Sequence, residues 1–236
     1  MGSPRAIGLR RDSDRRGDYH RAVGFSGFDS DALTFYAELR GDNTKEWWTA
    51  NKTRYERHVH EPMLQLAADL EDEFGEVKIF RPYRDVRFSA DKSPYKLHIG
   101  MVTRARAAHY VHLSEEGLLT GGGVFDVPPA ALARFRELVD DEASARSLDA
   151  VLGALDAKEF ELSTDDALRT APRGYSADHP RVEFLRLKRL AIRRSDPPAD
   201  WMWTPAAGEV IRERWHAISE WCGWLEAHLG DTLPPR

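Results

Sequence analysis

The residues best equipped for chemistry lie together in the stretch RPYRDVRFSADKSPYKLH, positions 81–98. It places Arg81, Arg84, Arg87, Lys92, Lys96 and His98 against only two acids, Asp85 and Asp91. Between residues 76 and 110 there are eight Lys or Arg and three Asp or Glu, although the whole chain carries a net charge of −5. An acidic chain that concentrates cations in one segment has commonly placed them for a partner of opposite sign. Arginine suits such a partner, because its planar fork grips carboxylate or phosphate through two hydrogen bonds and keeps its charge. Lys92, Tyr95, Lys96 and His98 follow a tight turn and can close on the same ligand. Gly121, Gly122 and Gly123 can add backbone N–H donors, as successive amides do for phosphates. If the site is catalytic, Asp85 or His98 is the candidate general base and Tyr95 the proton donor. Arg84 and Arg87 would then stabilise negative charge, and phosphoryl chemistry is the first class to test.

Two other readings of the cluster stand beside this one. In the first, Arg84 or Arg87 pairs with Asp85, Glu46 or another internal acid, and the cluster is an ionic network that fixes the fold. In the second, the cluster contacts a nucleic-acid backbone, helped by the arginine-rich N-terminus and by RVEFLRLKRLAIRR at 181–194, which has six Lys or Arg against one acid. A partner-binding protein is a further possibility, with Trp201, Trp203, Trp215, Trp221 and Trp224 as an exposed anchor.

Some chemistries are disfavoured. The chain lacks the P-loop, G-x-S-x-G, G-x-G-x-x-G and H-E-x-x-H patterns, and no motif calls for a cofactor. A metal site is not expected: His58 and His60 cannot share a helix face, and His109 and His112 point to opposite faces of a strand. The one cysteine, Cys222, excludes an internal disulfide. It falls on a helical apolar seam, which makes it a core filler.

The elements that must position the cluster follow from periodicity. Residues 1–21 hold six Arg and almost nothing apolar, which reads as a disordered basic tail; residues 22–230 read as a single α+β domain. Asp29 or Ser30 caps a helix that Gly41 ends, and Asn43 or Thr44 starts a second with Glu46 in its first turn. Trp47, Asn51 and Tyr55 recur on one face of it, and Pro62 predicts a kink or a fresh start. From Val77 the period changes to two, with strands expected near 77–88, 97–104, 108–114 and 117–125, the last ended by Gly121–Gly123. Helices follow from Asp126-Pro128-Pro129, around Leu148–Leu155, and from Thr204-Pro205 along Ile211, Trp215, Ile218, Cys222, Leu225 and Leu229. The expected fold is an antiparallel sheet of four or five strands packed by helices from both ends of the chain. With 42% hydrophobic and 31% charged residues, no run long enough to span a bilayer and no apolar leader, the expected location is the cytoplasm.

Several of these pieces together resemble one family, the domain of unknown function 2461. They are Asn43, Glu46-Trp47, Asn51-Lys52 and Tyr55; then Arg81, Arg84-Asp85, Arg87-Phe88, Asp91-Lys92, Pro94-Tyr95-Lys96 and His98; and finally Gly121–Gly123 and Leu187-Lys188. The likeness covers roughly residues 25–195, leaving the leader and the tryptophan-rich C-terminal helix largely outside. It implies a shared α+β fold and no particular activity.

Overall fold

The computed structural model describes residues 24–87 and 90–234; the expected basic tail lies outside them. The chain opens with α1 (Asp31–Gly41), α2 (Lys45–Tyr55), a π-helical turn (Glu56–His60) and α3 (Glu61–Phe74). Thr44 is the effective cap of α2, its hydroxyl accepting from the Trp47 N–H at 3.2 Å. At the start of α1 it is Asp29, not Ser30, whose side chain accepts a backbone N–H, that of Asp31 at 2.9 Å. The irregularity expected at Pro62 appears one turn earlier. A proline ring displaces the carbonyl four residues back, so the ladder widens over 56–60 before α3 resumes.

The sheet has six strands, not four or five: β1 (Val77–Ile79), β2 (His98–Thr103), β3 (Ala108–Ser114), β4 (Gly117–Val124), β5 (Glu161–Leu162) and β6 (Leu190–Asp196), in the order β1-β2-β3-β4-β6-β5 and antiparallel throughout. The strands beyond the four placed between 77 and 125 come from the second basic run, whose end pairs with β4, and from two residues beside Phe160, where a short strand fits the sequence. Between β4 and β6 lie α4 (Pro129–Asp140), α5 (Glu142–Asp156) and the short α6 (Val182–Leu185). The C-terminal helix, α7 (Ala206–Leu229), lies against β3 and β4.

Alternation along the strands sorts the two faces. Ile99, Met101, Thr103, Val111 and Leu113 are buried, while His98, Val102, Tyr110 and His112 are half-buried. The buried face carries the helices: Phe74 of α3 and Ser219 of α7 both meet His109, which points to that side. Tryptophan makes α7 a core element and not an exposed anchor. Trp215 and Trp221 are fully buried, and their ring N–H groups donate to the Tyr110 and Leu190 carbonyls, each at 3.2 Å. Among the described residues the large hydrophobics classed as exposed are Tyr83 and Phe125, neither in the 201–224 segment. Cys222 fills the same core, and burial pushes its thiol up to about 12.

Gly121–Gly123 do not end β4. They lie within it, paired with β3 on one side and β6 on the other, so their amides belong to the sheet and form no phosphate-binding concavity. Their lack of a side chain serves close packing: a Cβ on Gly122 would stand 2.3 Å from Ile218 Cγ2 and 2.8 Å from the Ala108 carbonyl oxygen.

Candidate functional site

The expected long strand over 77–88 stops at Ile79, and the arginine-rich stretch becomes an arm that pairs with itself. Lys96 N donates to the Pro82 carbonyl at 2.8 Å and Arg84 N to the Pro94 carbonyl at 2.9 Å, around a Tyr83–Tyr95 bridge. Two prolines and a run of polar residues explain why no regular strand continues. The arm is held to α2 by side chains. Asn43 Nδ2 donates to the Tyr95 carbonyl at 3.0 Å while Asn43 Oδ1 accepts the Tyr95 N–H at 3.1 Å, a side-chain copy of a strand pair. Trp48 lies flat on the Tyr95 ring, 4.2 Å between centroids, with buried Tyr55 behind it at 4.8 Å.

The helical residues proposed as supporting therefore build a platform. Trp47 rests on Phe35, and Asn51 donates to the Trp47 carbonyl at 3.0 Å. Glu46 is exposed on the first turn. Tyr95, proposed as a proton donor, is 4% exposed and stacked; burial raises its hydroxyl pKa, with Tyr83 and Glu46 adding to the effect.

Within the arm the charges answer one another. Arg84 pairs with Asp91, whose other oxygen accepts the Ser93 N–H at 2.9 Å. Arg87 grips Asp85 through Nε at 2.9 Å and Nη2 at 2.6 Å, and Lys92 Nζ donates to the Val86 carbonyl at 3.0 Å. The bonds from Ser93 and Arg84 hold Asp91 well below the usual carboxylate range, and those from Arg87, with the Arg81 charge adding to them, lower Asp85. A carboxylate held down in this way is a weak base, which counts against Asp85 in that role.

The remaining candidates, Arg81, Lys96 and His98, lie at the root of the arm: Lys96 and His98 are half-buried, and the exposed Arg81 is near enough to act on the Lys96 charge. Lys96 Nζ sits 5.0 Å above the Phe80 ring, and Phe80 approaches Tyr110 at 6.3 Å. The Tyr110 hydroxyl and His112 Nδ1 share a hydrogen bond of 2.9 Å, and the His112 ring stacks on His98 at 4.7 Å. Burial lowers the Lys96 pKa, and Arg81 and Lys78 lower it further. Burial and then Lys96 lower His98, and burial brings His112 down to about 3. Among the described residues no carboxylate forms an ion pair with Lys78, Arg81 or Lys96, and no group of three or more His, Cys, Asp or Glu is placed to hold a metal ion.

Sequence reasoning missed Lys78, Phe80, Tyr110 and His112. His109 points away from His112, as the alternation of β3 requires, and the partner of His112 is His98 across the strands. Antiparallel register sets Gly100 opposite His112 and His98 opposite Ser114, and a residue-by-residue alternation of 108–114 places Tyr110 with His112.

A family model described as "Conserved hypothetical protein (DUF2461)" matches residues 31–224. The chain belongs to that family. The DUF2461 match runs past residue 195 as far as Trp224, so all but the last turn of α7, expected to lie largely outside the likeness, is within it. Both the arm and its α2 platform fall inside the DUF2461 region. No curated protein and no solved structure matches this DUF2461 chain.

Proposed function

We propose that the protein binds a phosphorylated or carboxylated small molecule at the root of the arginine-rich arm, against Lys78, Arg81 and Lys96. The observation that carries this reading is the absence of a carboxylate paired with any of the three among the described residues, at a place where Lys96 is half-buried over an aromatic ring. A partly desolvated ammonium beside two further cations is costly, and an anion relieves that cost. Arg84 and Arg87, foremost in the sequence, are better read as structural, since each is answered by an aspartate of the arm. If phosphoryl chemistry takes place here, His98 suits the base role better than Asp85.

A nucleic-acid backbone reading draws less support. In the second basic run Arg181, Arg186, Arg189, Arg193 and Arg194 all pair with acids of the same chain, which leaves little uncompensated charge for phosphates.

A thermal-shift screen of nucleotides, sugar phosphates and dicarboxylates tests the proposal. At a hundredfold excess over Kd a ligand stabilises by about 2.7 kcal/mol, and each kcal/mol raises the Tm of a chain this size by roughly 2–4 °C. At least one compound is expected to shift the wild type, with the shift lost in Lys96→Met and kept in Arg84→Ala even where the latter melts lower. A shift that survives Lys96→Met, or no shift for any compound, overturns the reading.

A further inference from the structure

His98 stands apart from the other histidines of the sheet. Its ring stacks on His112, yet among the described residues neither of its nitrogens makes a hydrogen bond. His112 is tied to the Tyr110 hydroxyl at 2.9 Å and His109 to Ser219 Oγ at 2.9 Å. An imidazole held in place by stacking, with both nitrogens unengaged and a lysine close by, is set to meet something that arrives from solution.

We infer that His98 is the proton-accepting contact of the anion site, so that binding takes a proton up from solvent and turns the imidazole into a hydrogen-bond donor to the bound oxygen. This inference rests on the anion-site reading above. The charged and titratable groups around His98 are Lys96 on its own segment, Lys78 and Arg81 beyond Lys96, and His112 and Tyr110 on β3; Ser114 lies opposite in register. Among the described residues the acid recorded beside these cations, Asp85, acts on Arg81 and is bonded to Arg87; none acts on His98 itself, so no negative charge in the free protein favours the imidazolium. A bound anion on Lys96 supplies that charge and reverses the local field. His112 is the poorer acceptor, since it is more deeply buried and its Nδ1 is already bonded to Tyr110. The step is a single proton transfer from buffer to an imidazole nitrogen, with no other bond made or broken. The site then favours oxyanions whose oxygens accept hydrogen bonds, and it binds them more tightly as the pH falls through the range in which His98 titrates.

Sulfate is the probe, because its charge is constant near neutral pH and any proton taken up must come to rest on the protein. The binding enthalpy is measured at pH 6.5 in two buffers of different ionisation enthalpy, on wild type, His98→Gln, His112→Asn and Lys96→Met. Wild type is expected to take up a measurable fraction of a proton per sulfate. His98→Gln is expected to bind sulfate more weakly and without uptake, and His112→Asn to keep the uptake. Sulfate binding to wild type without proton uptake overturns the inference and leaves the anion site intact, a result that does not depend on whether any variant folds. Uptake that persists in His98→Gln, or vanishes only in His112→Asn, reassigns the proton and also overturns it. Failure of sulfate to bind wild type, or binding unchanged in Lys96→Met, removes the anion site itself.

Discussion

Asn43 does at residue scale what a strand would do at element scale. Its amide gives and takes one hydrogen bond each with the Tyr95 backbone, so Asn43→Ala leaves a backbone donor and acceptor unmet in a part-buried place. The expected loss is about 1–3 kcal/mol, read from urea unfolding, together with weaker anion binding as the arm loosens; unchanged stability would contradict the role given to this pair. Histidine supplies a second prediction. Burial holds His109 at about 4 and His112 at about 3, whereas in the unfolded chain both titrate near their ordinary value of about 6.5. Between those values the unfolded chain binds more protons, so stability is fully present above pH 6.5 and falls as the pH drops towards 3. The limiting slope is about 1.4 kcal/mol per pH unit for each group. Urea midpoints at pH 7 and pH 5 check this, and His112→Asn, which can still bond Tyr110, is expected to narrow the difference between them. An equal difference in the variant argues against it.

At the scale of elements, periodicity located most helices and the central strands because each buries one regular face: 108–114 was read to the residue, and the α7 seam with Cys222 fell where the spacing put it. Reading failed where backbone partners are set by distant segments. The 81–96 stretch alternates like a strand, yet it pairs with itself and with Asn43; β6 carries Arg193 and Arg194, answered by Glu161, Asp165 and Glu159 from a separate segment. Local composition does not announce either. The glycines make the same point in testable form. Gly122→Ala drives a methyl into Ile218 and the Ala108 carbonyl, and overpacking of this kind typically costs about 1–3 kcal/mol. Gly153, inside α5 with nothing within 4 Å of its absent Cβ, should gain about 0.5–1 kcal/mol on change to alanine. Chemical denaturation of the two variants should separate in sign; a neutral Gly122→Ala would mean that α7 does not press on β4 as described.

Across the whole molecule, charge is distributed unevenly in a way the sequence only half reveals. Composition pointed to 76–110 as a cationic segment, and Arg81, Lys96 and His98 were among the residues named there. It could not separate the arginines that are matched within the arm from the cations that are not, because matching depends on how the arm folds back. Among the described residues no helix is long and apolar enough to cross a membrane, and the helices cover one face of the sheet while His98, Tyr110 and His112 remain half-buried on the other. The most direct measurement of where an anion goes is a titration of isotope-labelled protein with inorganic phosphate, followed by backbone amide NMR. The amides of Lys96, His98, Gly100, Tyr110 and His112 are expected to shift together and saturate, with residues 181–194 unmoved. Saturable shifts confined to 181–194 or to the arm tip at Asp85–Lys92, with the sheet face silent, would contradict the proposed site.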